Sequence, residues 1–334
     1  MGSFISKIIE LCTHTSDNTS PENHIIETNT INSDNDSYIS DDDIFATDIP
    51  VDLDDENISL ILESEEEEDV THIFTYDNEK KALLIGINYD QDMFKDDDLN
   101  GCVNDMNNLT SFLHSKCHFF DNDITRLCNN EASRENIQNE LLDLVVFSHE
   151  NPGCEIWLSY SGHGSNISSF TEDDSKSEVI CPSDYASSGI ITDEWIQDNF
   201  VKGLEKTTKV FVLMDCCNSG SNLNLPYRFK NGDITINDNS YTKEELENLC
   251  YIVKISGCED DQTSADYFER SENEFQGALT NGFLYFSEQV KTEHNSISFF
   301  YNNILSYLTY RGFTQRPVLA FSKSELLENK LFKC

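Results

Sequence analysis

A histidine flanked by glycines and a pair of adjacent cysteines with a glycine three residues on, each placed at the end of an apolar run, are the residues of this chain best suited to covalent chemistry. Ser161-Gly162-His163-Gly164-Ser165 follows a run ending at Tyr160, and Asp215-Cys216-Cys217-Asn218-Ser219-Gly220 follows one ending at Met214. Thiol attack on an amide needs a nucleophilic sulfur, a base that takes or holds its proton, and donors for the developing oxyanion. His163 and the 216–217 cysteines meet these needs, and the neighbouring glycines let backbone N–H groups come close to a substrate carbonyl. Taken singly, a cysteine is most often an inert core residue and a histidine structural. The reading rests on the two segments together.

Elements must bring these segments to one place, and the apolar pattern from Lys80 onward supplies them. Lys81–Asn88 reads as a buried strand, with further strands at 124–127, 155–160, 209–214, 251–255 and 317–321. Val103, Met106, Leu109, Phe112 and Leu113 recur at helical spacing, as do Ile137, Leu141, Leu144 and Val145 behind Ser133, an N-cap residue; helices are also expected near 273–291 and 297–310. Strands alternating with helices predict an α/β domain with a mostly parallel central sheet flanked by helices. In such sheets ligands sit at the carboxyl ends of the strands, where both segments fall.

The first 78 residues are different material. The net charge of −40 draws roughly half of its excess from them, and Lys7 is their only lysine or arginine. Asn, Asp, Ser and Glu with scattered isoleucines cannot bury enough apolar area to offset ordering entropy. A disordered acidic segment is therefore expected over 1–78 and a folded domain over 79–334. So acidic a chain is repelled by phosphate backbones, which argues against nucleic acid and for cationic partners. Eleven cysteines without a C-x-x-C pair point to a reduced, cytoplasmic protein. No run reaches the ~20 apolar residues of a membrane span. Met1-Gly2-Ser3-Phe4-Ile5-Ser6 fits an N-myristoylation pattern, so Gly2 is a candidate lipidation site and a weak membrane tether, with Cys12 available for a second acyl chain.

Five segments in order resemble the metacaspases, caspase-fold cysteine peptidases, and among them the type I members with an N-terminal prosegment. They are Ala82–Tyr89, Leu99–Asp105, Tyr160–Gly164, Asp215–Gly220, and Ile255–Cys258 leading to Asp261–Asp266. A His about fifty residues ahead of the Cys is also the caspase spacing. The resemblance implies a caspase-like fold, His163 as general base, and Cys217, with Cys216 as its neighbour, as nucleophile. It implies an oxyanion hole from the N–H groups of Gly164 and Cys217. It implies a primary specificity pocket with Asp105 and Asp215, flanked by Cys102 and Ser161, and thus peptide substrates with Arg or Lys before the scissile bond. Two carboxylates in a partly dry cleft suit a guanidinium or ammonium; the plainer role for either Asp is a helix cap. The resemblance also implies a monomer.

The chain departs from the family at Asn218, where His is usual, and at the calcium cluster, whose matching positions are Ser177, Asp193, Glu194 and Asn224. The dyad needs no cofactor. Ca²⁺ enters only as an activator held by Asp193 and Glu194, with Asp173, Asp174 and Glu178 nearby, and a site with fewer charges binds it more weakly. Three other readings compete. An inactive caspase-fold regulatory module is argued against by retention of the dyad and both aspartates. An Asp-specific caspase needs cationic pocket residues and a Q-A-C-x-G surround. Metal or redox use of Cys216-Cys217 lacks C-x-x-C geometry. Arg228, Lys230 and Lys243, in a polar stretch between Asn222 and Leu249, are expected self-cleavage sites on exposed backbone.

Overall fold

The computed structural model describes residues 72–75, 78–90, 98–168, 176–217, 223–230, 232–236, 241–258, 266–269, 274–289 and 296–332. Gly2, Cys12, most of the acidic segment, Asp173, Asp174 and Asn218-Ser219-Gly220 lie outside these residues.

Runs of β-branched and aromatic residues form an eight-stranded sheet. Its strands are β2 (Lys80–Gly86), β3 (Ile124–Cys128), β4 (Glu155–Ser161), β8 (Lys209–Asp215), β9 (Tyr227–Lys230), β10 (Asp233–Ile236), β11 (Tyr251–Ser256) and β14 (Val318–Phe321). The order is β10-β9-β14-β11-β8-β4-β2-β3. The pairs among β3, β2, β4, β8 and β11 are parallel, and β14, β9 and β10 add antiparallel pairs at one side. The expected caspase-like α/β fold with a mostly parallel sheet is thus the one found.

Helices cover the sheet: α1 (Cys102–Lys116), α2 (Arg134–Glu150), the short α3 (Tyr185–Ser188), α4 (Asp193–Ile196) and α5 (Lys243–Asn248), then α6 (Ala278–Gln289) and α7 (Ile297–Tyr310). Ser133 caps α2 as expected, its hydroxyl accepting from Asn136 N–H. The helix expected from residue 273 instead begins at Ala278, because Glu274–Gly277 forms β13, paired with β12 (Asp266–Glu269). A small sheet of β5 (Gly164–Ser168), β6 (Lys176–Ile180) and β7 (Ile191–Thr192) was not foreseen.

Because successive side chains leave a strand on opposite faces, each central strand feeds two cores. Ile156, Leu158 and Tyr160 of β4, with Val212 and Met214 of β8, pack on the side that buries Leu141 and Leu144 of α2. Trp157 with Phe211 and Leu213 packs on the other, against Phe112 of α1, Phe283 of α6 and Phe300 of α7. Each such buried ring contributes about 1.5–3 kcal/mol of transfer free energy. The folded part also starts earlier than residue 79. β1 (His72–Phe74) pairs in parallel with β15 (Lys330–Phe332), and Ile73 and Phe74 are buried in the second core.

Candidate active site

The register between β4 and β8 aligns Ser161 with Asp215, so the two segments that follow leave the sheet side by side. Gly162 N–H donates to the Asp215 carbonyl at 3.5 Å. Two residues beyond each strand end stand His163 and Cys217. Gly164 brings their backbones into contact: a Cβ there would lie 2.2 Å from the Cys217 carbonyl oxygen and 3.2 Å from Cys216 Sγ. Only a residue without a side chain allows this approach.

The parity of β8 separates the two cysteines. Val212 and Met214 point into the α2-side core, and Cys216 continues that series, 1 % exposed. Burial, followed by the neighbouring Cys258 and Cys217, pushes the Cys216 thiol well above its ordinary value. Such a thiol is a poor nucleophile at neutral pH. Cys217, two residues past the strand, is only partly buried.

Two tyrosines that sequence reasoning left without a role position the histidine. Tyr89 Oη accepts from His163 N–H at 3.0 Å, Tyr160 Oη donates to the His163 carbonyl at 2.7 Å, and the Tyr89 and His163 rings lie 4.4 Å apart. Burial raises both phenols well above 10, so they act as fixed hydrogen-bonding groups. Tyr89 ends the Ala82–Tyr89 segment, and its place in that segment was the available signal.

Asp105 and Asp215 come together on the opposite face of the sheet. Phe211 and Leu213 point there, and so does Asp215; Asp105 projects from the first turn of α1, three residues after buried Cys102. Asp105 accepts from Ser161 Oγ at 2.5 Å and from Gly277 N–H at 2.9 Å, while Asp215 accepts from Thr280 N–H at 2.8 Å. A Cβ at Gly277 would lie 2.2 Å from one Asp215 oxygen and 2.7 Å from one Asp105 oxygen, so those two oxygens are within about 5 Å of each other. Both carboxylates are buried. Asp215 also caps the N-terminus of α6, the plainer role expected for it. Gly277 and Thr280 carried no sequence signal, because they act through backbone N–H groups.

Ser177, Asp193, Glu194 and Asn224 also converge. Ser177 donates to Glu194, Asn224 Nδ2 donates to Asp193 at 3.2 Å, and Glu194 N–H donates to Asp193 at 3.0 Å. Burial, then the Glu194 hydrogen bond and charge, pushes Asp193 up to about 7; Glu194, although burial opposes it, is held low by hydrogen bonds from Asp193 and Ser177. Among the described residues no three His, Cys, Asp or Glu side chains gather as metal ligands. A hydroxyl and an amide stand where two further carboxylates are expected, and a site with fewer charges binds Ca²⁺ more weakly. These residues alone do not fit a tight Ca²⁺ site.

Comparison with known proteins gives the kinship of the domain. Residues 80–226 match the family description "Metacaspase, peptidase C14 domain". The chain is 35% identical over 204 residues to Metacaspase-1 of Plasmodium falciparum, covering 59% of this chain and 32% of that protein. It is 28% identical over 299 residues to Metacaspase-1 of Candida albicans, covering 73% and 65%. The chain thus spans less than two thirds of either relative. A crystal structure of protein GSU0716 from Geobacter sulfurreducens shares the fold, with a TM-score of 0.53 at 20% identity, covering 76% of this chain and 100% of that one. Among the described residues no helix is long and apolar enough to cross a membrane.

Proposed function

We propose that this chain, whose residues 80–226 match the metacaspase peptidase C14 domain, is a cysteine endopeptidase directed at bonds after Arg or Lys, with His163 and Cys217 as the dyad. The observation that supports this reading is the contact of Gly164 with the Cys217 carbonyl, by which His163 and the partly buried Cys217 stand on neighbouring strand ends.

His163 takes the Cys217 proton as the sulfur attacks the scissile carbonyl carbon. The oxyanion is met by the N–H groups of Gly164 and Cys217. Collapse breaks the C–N bond, and the imidazolium gives its proton to the departing amine. Water, activated by the neutral imidazole, then cleaves the thioester and restores the thiol. Tyr89 and Tyr160 hold the histidine backbone through these steps.

The acid pair supports the specificity. Two anions within about 5 Å repel by roughly 3 kcal/mol at an effective dielectric near 20, and a guanidinium or ammonium placed between them relieves that repulsion. Substrates are therefore proteins or peptides presenting Arg or Lys. No step runs through a metal, and Ca²⁺ acts at most as a weak activator at Asp193 and Glu194. Myristoylation of Gly2 would add a weak tether, and the working unit is a monomer.

Fluorogenic peptides ending in Arg, Lys or Asp test the reading, with Cys217→Ala, Cys216→Ala and His163→Ala as controls and with chelator or Ca²⁺ added. Cleavage after Arg and Lys, lost in the Cys217 and His163 variants, is expected. Cleavage after Asp, or dependence on Cys216 in place of Cys217, would overturn it.

A further inference from the structure

The hairpin that ends at Gly277 has two unlike faces. Phe268 stands opposite Phe275 and Tyr267 opposite Gln276 in the β12–β13 register. Alternation puts Gln276, Glu274 and Tyr267 on one face, and Phe275, Phe268 and position 277 on the other. The first face is turned toward protein. Gln276 is 1 % exposed and donates to Glu274, and the Tyr267 ring packs at 4.9 Å on Phe313.

The second face is directed toward the acid pair, because a Cβ at Gly277 would point straight at the Asp105 and Asp215 oxygens. Two residues earlier on that face Phe275 is 39% exposed, and its cross-strand partner Phe268 is 45% exposed. Their rings meet edge to face at 5.1 Å and 70°. Asn104 Nδ2 holds this part of β13 against α1 by donating to the Phe275 carbonyl at 2.9 Å. An isolated exposed phenylalanine needs no explanation. A packed pair, fixed to the same strand face as the floor of an acidic hole, has a defined neighbour.

We propose that Phe268 and Phe275 form an apolar subsite for an aromatic or branched aliphatic side chain on the acyl half of the substrate. The inference rests on the peptidase reading and adds the second determinant of its specificity. Residues i and i+2 of a strand are about 6.5–7 Å apart. An extended peptide whose basic side chain enters between Asp105 and Asp215 presents its next side chain on that face at the same spacing, two residues before the basic one. The acyl half is also the half that stays bonded to Cys217 after the first chemical step, so a grip on it serves both halves of the reaction.

The test uses X-Gly-Arg peptides bearing a fluorogenic leaving group, with X as Phe, Leu, Gly or Asp, and the full chain as enzyme. Phe and Leu are expected to exceed Asp by roughly tenfold in kcat/KM, chiefly through KM. Phe268→Ser with Phe275→Ser should reduce that ratio to within about twofold while the preference for Arg over Asp at the cleaved position persists. Phe268→Tyr, which retains the ring, should keep the ratio. Should the double variant fail to fold, the wild-type profile over X and the Phe275→Ser single variant decide the matter. A flat profile from an active wild type, or a preference unmoved by loss of both rings, overturns the subsite alone. Absence of cleavage after Arg or Lys with every X overturns the peptidase reading and the subsite with it.

Discussion

The carbonyl oxygen of Cys217 rests against the Cα of Gly164, in a contact no side chain at position 164 could share. Gly164→Ala is therefore expected to lower kcat/KM by two orders of magnitude or more, although neither dyad residue is altered. Cys217→Ala and His163→Ala should each cost about 10³-fold or more. Rates with an Arg peptide, alongside thermal melts, separate loss of chemistry from loss of fold. Near wild-type activity in Gly164→Ala would show that the contact is dispensable.

Under the proposed specificity, Asp105 and Asp215 act as a pair through their charge. Asp105→Asn and Asp215→Asn keep an acceptor for Gly277 N–H and Thr280 N–H while removing one charge each. Each should reduce kcat/KM for Arg substrates by roughly 10–100-fold, the worth of a charge-assisted hydrogen bond. An unchanged constant in both would remove the acid hole from the specificity argument.

The adjacent cysteines should differ in reactivity. Brief treatment with iodoacetamide at pH 7.5, followed by peptide mass spectrometry, should label Cys217 well ahead of Cys216, whose thiol is buried and resists ionisation. Preferential labelling of Cys216 would reverse the assignment.

A buried carboxylate gives a pH signature of stability. Glu155 is enclosed beside Lys80, and its Oε1 accepts from Thr75 and Asn78; burial nonetheless raises its pKa above the ordinary 4.5, with the hydrogen bonds and Lys80 pulling the other way. The folded chain binds this proton more tightly than the unfolded chain. Its stabilising contribution is thus complete below 4.5 and is lost as pH rises through the folded value. Glu155→Gln has no such proton to lose, so its urea midpoint relative to wild type should improve between pH 4 and pH 7. A constant difference would refute the linkage.

The exposed-loop setting expected for self-cleavage at Arg228 or Lys230 is corrected by the sheet. β9 is paired on both sides, Arg228 standing between Thr235 and Ala320, so presenting it to a cleft would require breaking ladder hydrogen bonds. Lys243 opens α5 behind a capping box between Thr242 and Glu245, with an exposed side chain. Mass spectrometry of active enzyme should find no cut at 228 or 230. Thr242→Ala, which costs about 1 kcal/mol of helix stability, should raise cutting at Lys243.

The sequence by itself determined the strands that deliver the candidate site and marked the residues best suited to react. Apolar runs ending in Gly-rich segments marked β4 and β8, and the motifs around His163, Asp105 and Asp215 named the groups that gather there. It missed the β12–β13 hairpin because Glu274–Gly277 joins a helical periodicity without a break, and it took Arg228 and Lys230 for loop because their strand is polar. Tertiary structure alone decided what depends on which face a side chain leaves and on unmarked backbone donors. Strand parity sends Cys216 into the core and Asp215 to the other side, and the N–H groups of Gly277 and Thr280 fix the two aspartates together. The physical reason is that spacing along the chain encodes local periodicity, whereas close approach across 172 residues, as between Asp105 and Gly277, exists only once the chain has packed.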